Sequence, residues 1–210
     1  MKRKALGAVI AQAAQAGIGL LLQILVARLL GIDEYGRFAI LYGVVIVATA
    51  VVTGLIGDSL VVLERSQRAI RAGLQAMLLI TSAVLAAGAF LTAWLTGFSD
   101  ALEAAIFAVA LAAFAVEEIV RRLLIAHMSF VRTAATDISG FIVALAIILA
   151  VNATGTLSLG VFLAGIAAGQ IVATVIGWLL VPRSDRHLVG LRGAAIAPVW
   201  RYGMSVSYTH

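Results

Sequence analysis

This sequence predicts an all-α integral membrane fold, a six-helix transmembrane bundle followed by the start of a seventh helix. Three observations predict it. Hydrophobic residues make up 63% of the chain and charged residues only 12%, against roughly half and a quarter in soluble domains. Mean hydropathy is +1.11. The apolar residues come in long runs, and a helix needs roughly 20 of them to cross a hydrocarbon core about 30 Å thick, so 210 residues hold about six or seven spans. None of the runs alternates apolar with polar residues as a barrel strand would.

The basic balance reads as topology. Fifteen Lys and Arg stand against ten Asp and Glu, but they sit in short clusters between apolar runs without interleaved aromatics, which argues against nucleic acid as a partner. With no cysteine, disulfides and thiolate metal sites are excluded.

The first span is residues 5–30. Lys2, Arg3 and Lys4 precede it as they would a secretory signal, but Gln12 and Gln15 interrupt the would-be apolar region and the run continues to Leu30. Gln12, Gln15, Gly19 and Gln23 fall on one helical face, a polar stripe that a lipid-facing helix would not keep. Such amides bind sugar hydroxyls in a cavity or bond neighbouring helices. Arg28 lies on the far side of the wheel. The corner that follows places Gly31 at an expected αL helix end and Asp33, Glu34, Tyr35 and Gly36 in a polar turn, flanked by Arg28 and Arg37.

The second span, 38–63, carries Asp58, for which two readings stand: a carboxylate facing a water-filled cavity or a coupling cation, or an interfacial group paired with Arg65 or another basic residue of that loop. The third, 73–96, has no charge and reads as a packing helix. The fourth, 101–126, ends in Glu117, Glu118, Arg121 and Arg122, each Glu four residues before an Arg, so two ion pairs are expected side by side. Either an arginine swings from its glutamate to an anionic substrate group, or the pairs cap the cytoplasmic end of the helix. The fifth span is 134–151. The sixth, 159–181, repeats Gly165, Gly169, Ala173 and Gly177 every four residues, a surface for close helix packing or sliding, packing being the expectation. Residues 1–182 thus form one lobe, 183–197 a cytoplasmic linker and 198–210 the truncated start of a seventh helix.

Arginines and lysines cluster before the first span and after the second, fourth and sixth, whereas Asp33, Glu34, Asp100 and Glu103 lie at the opposite ends. The positive-inside rule therefore expects a cytoplasmic N-terminus in the cytoplasmic membrane. Tyr35, Trp94 and Phe98 fall at the outer interface, and Trp178, Trp200 and Tyr202 at the inner one. Enzyme signatures are missing: no HExxH, P-loop or GxSG occurs, and no metal site or cofactor is expected.

Residues 24–38, ILVARLLGIDEYGRF, closely resemble the first corner of the oligosaccharide and polysaccharide flippases. These are the O-antigen and teichoic-acid exporters of the multidrug/oligosaccharidyl-lipid/polysaccharide superfamily. In that family the first helix ends in Ala-Arg and Leu-Gly before a short acidic turn closing on Tyr-Gly-x-Phe. Residues 121–132, RRLLIAHMSFVR, also resemble its Arg-x-x-Leu-x-Ala link between the fourth and fifth helices.

The resemblance implies two six-helix lobes around a cavity that opens alternately to each side, with this chain as the N-terminal lobe. The cargo would be an undecaprenyl-diphosphate-linked oligosaccharide, its diphosphate met by basic cavity residues. The partners implied are that lipid, membrane lipids and a C-terminal lobe. Arg28, Gly31, Asp33, Glu34, Tyr35 and Gly36 hold the motif positions. Arg28 is expected to hold the turn through Asp33 or Glu34, with substrate contact as the other reading. Gln12, Gln15, Gln23, Asp58, Glu117, Glu118, Arg121 and Arg122 are the cavity candidates.

Two other classes stay open. A membrane enzyme acting on polyprenyl phosphates requires catalytic clusters in cytoplasmic loops, which here are short and basic. A small six-helix channel or scaffold requires the gene to stop near His210, where a flippase requires about six further spans. In a flippase, residues 1–210 alone are expected to be poorly stable or to dimerise aberrantly.

Overall fold

Every element of the chain is helical in the computed structural model, which describes residues 2–64 and 67–207, with the backbone alone at 2–5, 61 and 204–207. Arg65, and with it the expected Asp58–Arg65 pair, lies outside the described residues, as do the side chains of Lys2, Arg3 and Lys4. The helices are α1 (Lys2–Leu29), α2 (Ile32–Val52), α3 (Asp58–Val62), α4 (Arg68–Leu95), α5 (Ala101–Ala126), α6 (Phe130–Asn152), α7 (Leu159–Leu180) and α8 (Ile196–Ser207). One π-helical turn, Thr53–Gly57, joins α2 to α3 without breaking the rod.

Several helices start earlier than the apolar runs do. Those runs mark only what is apolar enough for hydrocarbon, whereas backbone hydrogen bonding continues through charged ends whose long side chains reach back to water. So α4 begins at Arg68 rather than residue 73, and α6 at Phe130 rather than 134. The corner is tighter than expected. Leu30 and Gly31 alone make it, and Asp33 and Glu34 form the first turn of α2, where acidic side chains complement the helix dipole. Gly31 adopts φ 90°, ψ 177° rather than αL, a region only glycine enters readily.

α5 is the hub, packing against α2, α4, α6 and α7, while α1 packs on α2 and α6. Its start is capped by Asp100, whose side chain accepts from the Glu103 backbone N–H at 2.8 Å. Two apolar clusters stack along the bundle. Leu22, Val26, Phe38, Phe107 and Phe162 belong to one, and Val52, Ile56, Met77, Leu124 and Val199 to the other. The small-residue stripe of α7 is a packing face: a Cβ at Gly169 would stand 2.5 Å from the Gly140 carbonyl oxygen and 2.9 Å from Ala144 Cβ on α6.

Large apolar side chains such as Leu20, Ile24, Val47, Ile80, Ile142 and Val175 lie exposed on the outer faces. Five helices, Leu6–Leu29, Ile32–Leu60, Arg68–Leu95, Phe130–Asn152 and Leu159–Leu180, are long and apolar enough to cross a membrane. Together they mark a multi-pass membrane protein. α5, at 26 residues, is as long but carries Glu103, Glu117, Glu118, Arg121 and Arg122.

The two ends of the bundle differ. At one, the 181–195 segment folds over the helix ends: His127 Nε2 lies 2.8 Å from Asp185 Oδ2, Arg71 3.7 Å from Asp185 Oδ1, and Arg132 donates to the Leu180 carbonyl at 3.1 Å. At the other, Arg37 bridges Glu34 and Glu103 at 3.0 and 2.5 Å. α8 turns back into the bundle, where a Cβ on Gly203 would sit 2.5 Å from the Leu55 carbonyl oxygen and one on Gly73 2.5 Å from that of Ala195.

Candidate functional site

On α5, Phe114, Glu117, Glu118 and Arg121 recur at helical spacing and form one face. That face lines a cavity of about 130 Å³ inside the bundle, whose other walls include Gln15 and Gly19 of α1, Tyr42 of α2, Asp137 of α6 and Gln170 of α7. A wider cleft of about 610 Å³ adjoins it, lined by Gln12, Gln15, Thr53, Asp58, Arg121 and Arg122. Gln15 and Arg121 border both. Gln12 and Gln15 of α1, although exposed, therefore line the same spaces as the charges of α5.

Glu117, Glu118 and Arg121 are 7%, 6% and 5% exposed. Charges so deep are tolerated only when paired and hydrogen-bonded. Glu118 meets that condition. Its Oε1 accepts from Arg122 Nε at 2.7 Å and from Thr53 Oγ1 at 2.9 Å, and its Oε2 lies 3.7 Å from Arg121 Nη1. Arg122 also donates to Thr53 Oγ1 at 3.4 Å. Its stem crosses the π turn at Gly57, where an added Cβ would meet Arg122 Cγ at 3.2 Å. The widened turn thus brings Thr53 to the carboxylate and leaves room for the arginine, a use to which π turns are frequently put.

The second expected pair does not form. Arg121 turns away from Glu117 and donates through Nε to Asp137 Oδ2 on α6 at 3.3 Å. The i,i+4 rule describes an isolated helix; in the bundle a carboxylate from the neighbouring helix competes for the same guanidinium. Glu117 Oε1 and Arg121 Nη2 are both buried with no hydrogen-bond partner. An acceptor and a donor of residues that line the cavity are thus buried unsatisfied. Such groups call for a ligand or water to complete them.

Gln12, Gln15, Asp58, Glu117, Glu118, Arg121 and Arg122 thus lie around two adjoining spaces. Gln23 does not join them: it accepts from Tyr35 Oη at 3.5 Å, toward the α1–α2 corner. Asp58 lines the wider cleft and has no ion pair among the described residues. Arg28 is exposed, and no ion pair ties it to Asp33 or Glu34. The corner is held instead by Arg37, which also donates to the Phe98 carbonyl at 3.1 Å and lies 5.7 Å from the Phe98 ring centroid.

Asp137, Thr53, Tyr42 and Gln170 were not among the sequence-predicted site residues. A signal existed for Asp137, an ionisable residue within an apolar span, near its start. Thr53 offered none, since only the π turn aims it at Glu118. The chain matches no family model, no curated protein and no solved structure.

Proposed function

We propose that this chain is the N-terminal lobe of a transporter that flips a polyprenyl-diphosphate-linked oligosaccharide across the cytoplasmic membrane by alternating access. In this reading α5 is a sixth span whose charges cross in mutual pairs, and the basic end of the bundle, with the N-terminus, faces the cytoplasm. The observation that carries it is the polar cavity within an otherwise apolar bundle. Its amides, carboxylates and one unsatisfied guanidinium nitrogen suit a hydroxyl-rich headgroup, which both donates and accepts. The likeness of residues 24–38 to the flippase corner adds the cargo class.

Arg121 and Arg122 are both committed to carboxylates, and engaging the diphosphate requires one of them to exchange partners. Asp58 lines the same cleft as Arg121 and Arg122 and makes no ion pair among the described residues.

The test is flipping of a labelled polyprenyl-diphosphate oligosaccharide in proteoliposomes holding the product of the complete reading frame. Protein-dependent movement of the headgroup is expected, and its absence for every glycan tried removes the reading. Unchanged flipping with Gln15, Asp58 and Arg121 all replaced removes the site assignment.

A further inference from the structure

The charged cluster around the cavity does not balance. Glu117, Glu118 and Asp137 supply three carboxylates, and Arg121 and Arg122 two guanidinium groups. Arg122 is taken by Glu118 at 2.7 Å, and Arg121 reaches Asp137 at 3.3 Å and Glu118 at 3.7 Å. One negative charge is left over, and Glu117, whose Oε1 has no partner, is where it falls.

The charged and titratable groups that share the cavity with Glu117 are Glu118 and Arg121 of its own helix, Asp137 of α6 and Tyr42 of α2. α1 and α7 contribute only the amides of Gln15 and Gln170. Arg122 and Asp58 stand in the adjoining cleft. No described element brings a third guanidinium or ammonium to the cavity.

We propose that Glu117 and Asp137, sharing the single guanidinium of Arg121, form a proton-binding site that holds one proton within the bundle. A metal cation would need several oxygen ligands around it, and among the described residues no group of three or more acidic, His or Cys side chains is arranged to hold one. A proton needs only one unpartnered oxygen, and the buried Oε1 of Glu117 supplies it.

The geometry also supplies a switch. Glu117 and Arg121 are four residues apart in the favourable order, so a rotation of the Arg121 side chain gives Glu117 the pairing that Asp137 now has. The proton on the Glu117 carboxylic acid then passes to water. A proton taken from water forms the O–H of Asp137, and the α5–α6 ion pair is broken. Proton position and helix contact change together. The site does not depend on the flipping reading, because proton occupancy is measured without cargo.

The experiment is infrared difference spectroscopy of the protein in lipid bilayers across about pH 5–9, reading the carbonyl stretch of a protonated carboxylic acid. The wild type should show one such acid that titrates. Glu117→Gln and Asp137→Asn each leave two carboxylates for two guanidinium groups and should each abolish the signal. Arg121→Gln leaves three carboxylates for one guanidinium and should double it, which loss of a merely structural ion pair would not do.

A signal absent from the wild type, or one that persists in either neutralised variant, overturns the proposal. Both neutralising substitutions keep side-chain shape. If one of them fails to give a monodisperse protein, the other decides.

Discussion

Arg37 on α2 and Glu103 on α5 meet at 2.5 Å, sixty-six residues apart in the chain, and fasten the acidic end of the bundle. Ser99 Oγ donates to the same carboxylate oxygen at 2.8 Å, and Asp100 caps the helix one turn before it. The side chains are 32% and 15% exposed, which places the pair between a screened surface bridge and a buried one. Arg37→Gln and Glu103→Gln are each expected to lower stability by about 1–2 kcal/mol. In a double-mutant cycle read by thermal unfolding in detergent they should be less than additive. Additive losses would show that the two residues act separately.

Arg28, nine residues earlier, is exposed and makes no ion pair or side-chain hydrogen bond among the described residues. Arg28→Gln is therefore expected to change stability by less than about 0.5 kcal/mol. Any fall in flipping from that substitution then reports on transport itself, measured as a rate at unchanged melting temperature.

Gly31 and Gly36 both belong to the motif shared with the flippase corner, but only Gly31 is required by the backbone. At φ 90° an L side chain is strained, so Gly31→Ala should cost about 1–3 kcal/mol. Gly36 is helical, and nothing lies within 4 Å of an added Cβ. Gly36→Ala should be neutral or stabilising by up to about 1 kcal/mol. Equal unfolding temperatures for the two variants would contradict this difference.

Gly169 faces the Gly140 carbonyl so closely that Gly169→Ala must push α6 and α7 apart. A loss of about 1–3 kcal/mol is expected. Gly88, exposed on α4 with nothing within 4 Å of an added Cβ, is the control. Gly88→Ala should leave the melting temperature unchanged or raise it.

Thr53 supplies Glu118 with a hydrogen bond from the π turn at 2.9 Å. Thr53→Val keeps the shape, removes the donor, and should cost about 1–3 kcal/mol, whereas Thr53→Ser should restore most of it. A Thr53→Val variant as stable as the wild type would mean that Arg122 alone satisfies the carboxylate.

By itself the sequence determined where the long helices run and which faces are special, although it expected six membrane spans where five helices prove long and apolar enough. The reason is local. Apolar length, the spacing of Gln12 and Gln15, and the four-residue repeat from Gly165 to Gly177 are properties of single helices. Glu118–Arg122 was legible for the same reason, because both partners share one helix face.

What a residue meets across a helix interface was not legible. Arg121 chose Asp137 over Glu117 because α6 brings a carboxylate within 3.3 Å, and no spacing along α5 could reveal that competitor. The same holds for Thr53 at the π turn and for α8, which turns back against Leu55 and Gly73. Only the tertiary structure decided these contacts, and with them that three carboxylates share two guanidinium groups, leaving Glu117 as the one without a partner.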